Sequence, residues 1–192
     1  MAAQILSGGA ATAADVGSVL LALSTLAGRV LLSGTFIQAG LQKTRYRGQL
    51  DGVISNYAIL PAAWVPAASW LLPPAEIAVG IAVLVPSSIA ALAAGGLLAL
   101  FTIAIVINLA RGRSFIDCGC FQSELRQELG WGLVWRNGIL LAMALYVACF
   151  PVRPSFWIGA LAILFGLVSY ILYQALNALG ANRAALRSLA AR

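Results

Sequence analysis

The sequence predicts an all-α protein, a polytopic membrane bundle of about five transmembrane helices. Three observations predict it. First, 61% of the 192 residues are hydrophobic and 9% are charged, with a mean hydropathy of +0.93. A water-soluble domain carries roughly 25% charged residues, so this chain lacks the material for a hydrated surface. Second, the apolar residues gather in separate runs of about twenty or more, the length a helix needs to cross a hydrocarbon core ~30 Å thick. Third, the basic residues concentrate between alternate runs, as topology signals do.

Taken in order, residues 1–15 are small and weakly apolar. Ala11 to Ala14 has the look of a signal-peptidase site, but no basic stretch and apolar core precede it, so a short flexible head is expected rather than a cleaved signal. The bundle is expected over 16–180. Its first apolar run, Ser18 to Leu41, contains Arg29 and is closed by Lys43, Arg45 and Arg47, after which a polar, amphipathic stretch continues through Tyr57. The second run, Leu60 to Val85, carries Pro73-Pro74 and Glu76. Neither half crosses alone, because about thirteen helical residues reach only ~20 Å. One span kinked or broken at the prolines is expected. Pro86 to Ser88 makes the turn.

Ile89 to Leu109 is the cleanest run, with Ala91, Gly95 and Ala99 at four-residue spacing. Such a stripe of small residues lets helix backbones approach closely. A polar loop over 110–130 follows, then Trp131 to Phe150, a turn at Pro151 to Pro154, and Phe156 to Leu179. A basic tail, 181–192, ends the chain. Five spans place Lys43, Arg45, Arg47, Arg111, Arg113, Arg126, Arg136, Arg183, Arg187 and Arg192 on one side and only Arg153 on the other. That bias sets the N-terminus outside, the C-terminus in the cytoplasm and the 110–130 loop on the cytoplasmic side.

The loop carries the chemistry. Asp117-Cys118-Gly119-Cys120-Phe121 holds two of the three cysteines of the chain. Cysteines two apart can meet the disulfide window of ~4.4–6.8 Å between Cα atoms only if the chain turns, and Gly119 relaxes that turn. The resulting ring is strained, and strained disulfides are the oxidising, exchangeable ones. Asp117 raises the thiol pKa, while nearby arginines and the start of the next helix lower it. The bland alternative is two small residues filling a turn. Zinc is disfavoured, because a structural site wants four Cys or His ligands and the chain has no histidine. Cys149, ~27 Å along the fourth span from Trp131 at ~1.5 Å per residue, is too distant to resolve the pair. With one redox pair, an electron relay requires a partner protein, a quinone or both; no other cofactor is evident. Arginines scattered between apolar runs argue against a nucleic-acid partner and for contact with the lipid membrane.

Arg29 and Glu76 are ionisable residues within apolar runs, which makes each a functional hypothesis. Both fall ~15 Å deep at helical rise, so an ion pair near the midplane is expected. The alternatives are snorkelling for Arg29 and, for Glu76, a carboxylate in the first helical turn after the prolines. Trp131, Trp135, Arg136 and Asn137 open the fourth span. Their ordinary reading is interface anchoring; the functional one is a wall over the cysteines or a resting place for a quinone ring.

An ordered set of residues carries a family resemblance. Phe36…Ala39-Gly40-Leu41-Gln42-Lys43, Asn56-Tyr57…Leu60-Pro61, Leu72-Pro73…Glu76…Gly80, Asn108 to Arg113, Cys118-Gly119-Cys120-Phe121 and Trp135-Arg136-Asn137 together resemble the methylamine utilisation protein MauE family, related to DoxX-like membrane proteins. The resemblance covers roughly residues 25–150. Gln122 stands where the family pattern has a glycine after Phe121. The resemblance implies an accessory role in maturing the small subunit of periplasmic methylamine dehydrogenase, by forming or correcting disulfides with a thioredoxin-like partner, MauD. It implies a bacterial inner-membrane location. The charge bias, however, places the thiols opposite that periplasmic client. Two other classes compete: a non-enzymatic scaffold or chaperone with incidental cysteines, and a small-solute transporter dependent on Arg29 or Glu76.

Overall fold

The computed structural model describes residues 2–113, 129–153 and 156–190, with side chains from 16–113, 129–153 and 156–180. Among these residues the protein is all-helical: α1 (Ala2–Arg45), α2 (Arg47–Tyr57), α3 (Val65–Ala82), α4 (Ser88–Ala110), α5 (Trp131–Cys149) and α6 (Phe156–Ala190). Five of them are long and apolar enough to span a membrane, with α3 counted from the single 3-10 turn at Ala62–Trp64 that leads into it. This is a multi-pass membrane protein. The short α2 is the amphipathic stretch expected after the first span.

Three differences from the sequence reading have local physical causes. α1 is helical from Ala2, so the head at 2–15 continues the first helix, and α6 likewise continues through 181–190 of the tail. Alanine, the best helix former, recurs in both stretches. α3 carries Pro73 and Pro74 inside an unbroken helix. The prolines free the carbonyls of Ser69 and Trp70 four residues back, a loss that surrounding helices offset inside membrane proteins. Because α3 begins at Val65, Glu76 sits well inside the helix and not in the first turn of a helix that starts at the prolines.

Packing is pairwise. α1 is the hub and carries α3 on one flank and α6 on another, while α4 and α5 pack mainly on each other. Small residues make these approaches possible. A Cβ at Gly40 of α1 would come within 2.8 Å of the Pro73 carbonyl, and one at Gly80 of α3 within 3.1 Å of the Ile37 nitrogen, so two glycines set the α1–α3 distance from both sides. Gly166 of α6 lies against Val30 in the same manner. Of the stripe on α4, Ala91 and Gly95 are buried, Gly95 against Leu141 and Ala144 of α5, while Ala99 lines a cavity.

The buried apolar residues form two clusters. One joins Leu32, Phe36, Val83, Ala91, Leu98, Ala144 and Val147 near the α3–α4 turn; the other joins Ile105, Leu129 and Leu133 near the opposite end. α4 closes in a Schellman motif: the Arg113 N–H donates to Asn108 O at 2.9 Å and the Gly112 N–H to Leu109 O at 3.0 Å. Gly112, at φ +71, takes the left-handed conformation that this motif requires.

Candidate functional site

Arg29 and Glu76 are both buried, each 1% exposed, but they do not form the expected pair. Arg29 donates from Nη1 to Val83 O at 3.0 Å and Val85 O at 2.7 Å, and from Nη2 to Val147 O at 3.2 Å. These carbonyls lie at or just beyond the C-terminal ends of α3 and α5, where acceptors lack intrahelical donors and the helix dipole favours a cation. Arg29 therefore ties three helices together at one end of the bundle. Ser88 Oγ reinforces that end by donating to Ala148 O at 2.7 Å. An Arg29→Lys variant retains the charge without the planar fork. Losing a charged hydrogen bond is expected to cost about 1.5 kcal/mol or more, readable as a lower unfolding midpoint in detergent; an unchanged midpoint would remove the tie from the account.

Glu76 is engaged from the other direction. Lys43 Nζ reaches both carboxylate oxygens, at 2.7 and 2.9 Å. Lys43 closes the first apolar run in the sequence, yet its side chain is only 12% exposed and points into the bundle. Helical Cα–Cβ bonds tilt toward the N-terminus and the lysine stem is long, so Lys43 extends back to meet Glu76. Its ammonium also stands 5.4 Å from the Phe101 ring centroid, within cation–π range. The sequence signal for this partner was the Phe36, Gly40, Lys43 spacing, which puts all three on one helix face.

The pair borders a cavity of about 700 Å³. The cavity exists because α3 and α4, joined by a short turn, pack on different partners: α3 on α1 and α4 on α5. Away from the turn they diverge. α2 contributes a further wall, held to α3 by Arg47, whose guanidinium carbon lies 3.2 Å from the Trp70 ring centroid. The lining is mainly apolar, with Lys43, Glu76, Arg136 and Asn137 among its polar members.

The quartet at the start of α5 divides. Trp131 and Trp135 are 67% and 75% exposed on the outside of the bundle. Arg136 and Asn137 face inward and line the cavity. Asp117, Cys118, Gly119, Cys120 and Phe121 lie outside the described residues. The described ends of their segment are well placed: Leu129 is buried against Ile105 and Leu133, with Tyr57 packed alongside. Arg111 Nη1 donates to Ala58 O at 3.2 Å, just past α2. Both described flanks of the cysteine-bearing segment thus lie at the end that holds α2 and the cavity. Cys149 is free and exposed at the far end of α5.

Against this geometry, the family model described as "Methylamine utilisation protein MauE" matches residues 20–150. The chain belongs to the MauE family. It is 38% identical to the "Methylamine utilization protein MauE" of Paracoccus denitrificans over 162 residues, which is 82% of this chain and 87% of that one. It is also 38% identical to the MauE protein of Paracoccus versutus, over 79% of this chain and 84% of the relative. For that of Methylorubrum extorquens the identity is 39%, over 77% and 82%. No solved structure matches the chain. The MauE match covers α1 from residue 20 through α5, and so contains Arg29, Lys43, Glu76, the cavity lining from α1 to α5 and the cysteine pair, leaving α6 outside it.

Proposed function

We propose that this MauE-family chain is a thiol–disulfide protein of the bacterial inner membrane. It assists maturation of the methylamine dehydrogenase small subunit, together with a thioredoxin-like partner of the MauD type. The observation that carries the reading is the sequence Cys118-Gly119-Cys120, set between two membrane helices in a chain whose relatives are named for methylamine utilisation. The chemistry is thiol–disulfide exchange: a thiolate attacks a disulfide sulfur, a mixed disulfide forms, and a second thiolate releases it. When the Cys118–Cys120 disulfide oxidises a dithiol, the two electrons and two protons that the dithiol gives up reduce the pair to two thiols. The charge bias supports a periplasmic N-terminus and a cytoplasmic C-terminus; with that topology, exchange with a periplasmic partner requires that the pair lie deep enough to be reached from the other face.

The test replaces Cys118 and Cys120 by serine in a methylamine-grown host. At normal membrane levels of the variant, the dehydrogenase small subunit is expected to accumulate with unpaired thiols, counted by mass after alkylation. A fully oxidised subunit in that strain would favour a scaffold or chaperone role instead.

A further inference from the structure

We propose that the cavity between α3 and α4 binds a prenylated quinone, with the ring against Lys43, Glu76, Arg136 and Asn137 and the tail leading out into the bilayer. This deepens the thiol–disulfide reading, on which it rests for the source of electrons.

Four observations converge on this occupant. The cavity, at about 700 Å³, falls in the ~300–1,000 Å³ range of small-molecule sites. It is bordered by Ile59, Leu60, Leu100 and Ile103, all apolar and exposed on the outside of the bundle. A ligand entering there comes from the hydrocarbon phase and must itself be largely apolar.

The polar part of the wall has a particular character. Lys43 and Glu76 neutralise each other through two short hydrogen bonds. A phosphate head would compete with Glu76 for the ammonium and leave a buried carboxylate uncompensated. A neutral ring with two carbonyl oxygens creates no such conflict. The ammonium and the Arg136 guanidinium donate to a quinone carbonyl, and the carboxylate accepts from a quinol hydroxyl, so both redox states find partners on one wall.

The fourth observation is electronic. The chain has three cysteines, and Cys149 lies at the far end of α5. A dithiol at Cys118 and Cys120 therefore has no second pair within the chain to receive its electrons. A quinone accepts what the dithiol releases: two thiols become one disulfide by losing two electrons and two protons, and the quinone takes both to become the quinol. The described residues that flank the cysteine-bearing segment, Arg111 and Leu129, sit at the cavity end of the bundle.

Gly96 supplies the discriminating variant. It lines the cavity, and a Cβ built there meets nothing within 4 Å, so Gly96→Leu fills the space without disturbing the packing of α4. The experiment titrates full-length protein in phosphatidylcholine nanodiscs with radiolabelled ubiquinone bearing two isoprene units. Saturable binding near one per chain is expected, weakened at least tenfold by G96L at an unchanged melting temperature and unaffected by excess phosphatidylglycerol. Absence of saturable binding, equal affinity in G96L, or displacement by phosphatidylglycerol each overturns the assignment, the last by making the cavity a phospholipid site. The C118S/C120S protein is expected to bind as wild type does. If it binds quinone and the client still acquires its disulfides, the thiol–disulfide reading fails and the cavity assignment stands. If the wild type oxidises its client yet binds no quinone, the cavity assignment fails alone.

Discussion

Replacing Lys43 by methionine is expected to destabilise the protein by about 3–5 kcal/mol, the usual consequence of leaving a buried ionic partner uncompensated. Glu76 is 1% exposed and is held by Lys43 through both oxygens, so the variant strands a carboxylate between α1, α3 and α4. The double variant K43M/E76Q removes both charges and is expected to recover most of the loss. The measurement is the unfolding midpoint in detergent, alongside the amount of protein retained in the membrane. A K43M midpoint equal to wild type would show that the ion pair contributes nothing to the fold. A double variant no better than the single one would place the defect in lost lysine packing against Phe101 rather than in charge.

The second large effect is expected at Gly40. A Cβ there would lie 2.6 Å from Ile77 Cγ1, 2.8 Å from the Pro73 carbonyl oxygen and 3.2 Å from the Ile77 nitrogen. Two of those atoms are backbone and cannot swing aside. Gly40→Leu must therefore push α1 and α3 apart, at the upper end of the ~1–3 kcal/mol typical of overpacking or beyond it. The same displacement pulls Lys43, one turn further along α1, away from Glu76. Gly40→Ala is expected to show a smaller loss in the same direction, whereas Gly96→Leu, on the open side of α4, should be nearly silent in stability. Equal melting temperatures for G40L and G96L would contradict the α1–α3 contact described here.

The fold was largely legible in the sequence because the membrane imposes a simple rule: long apolar runs become helices, and their number and order follow. The burial of Arg29 and Glu76 was legible for the same reason, since few ionisable residues interrupt those runs. Their partners were not. The outer ends of the two apolar runs, Ser18 and Val85, suggest equal depths, but α1 begins well before Ser18 and α3 ends at Ala82, so those ends do not mark a common level. Arg29 consequently meets helix-terminal carbonyls, which have no residue-specific signature, and Glu76 meets a lysine that apolar counting assigns to the loop. The cavity was hidden for another reason. It arises from α3 and α4 choosing different neighbours, a property of pairwise packing that hydropathy does not encode. At the start of α5 the structure separates two outward tryptophans from the inward Arg136 and Asn137 within about two turns, a division that the sequence reading, which takes the four together, does not make.

The seating of α6 on α1 has a consequence for biosynthesis. The hydroxyl of Tyr170 in α6 hydrogen-bonds Gln38 in α1, a partner 132 positions earlier in the chain. At a synthesis rate of ~5–20 residues per second, α1 waits roughly 7–26 s in the bilayer before that hydroxyl is made. During this interval the flank of α1 around Val30, Gly34 and Gln38 has only lipid or the insertion machinery against it where α6 will lie. An early helix, α1, is thus completed by the much later α6, so a ribosome stalled before α6 releases a nascent chain with an amide-bearing face open to acyl chains, the kind of surface that membrane quality control removes.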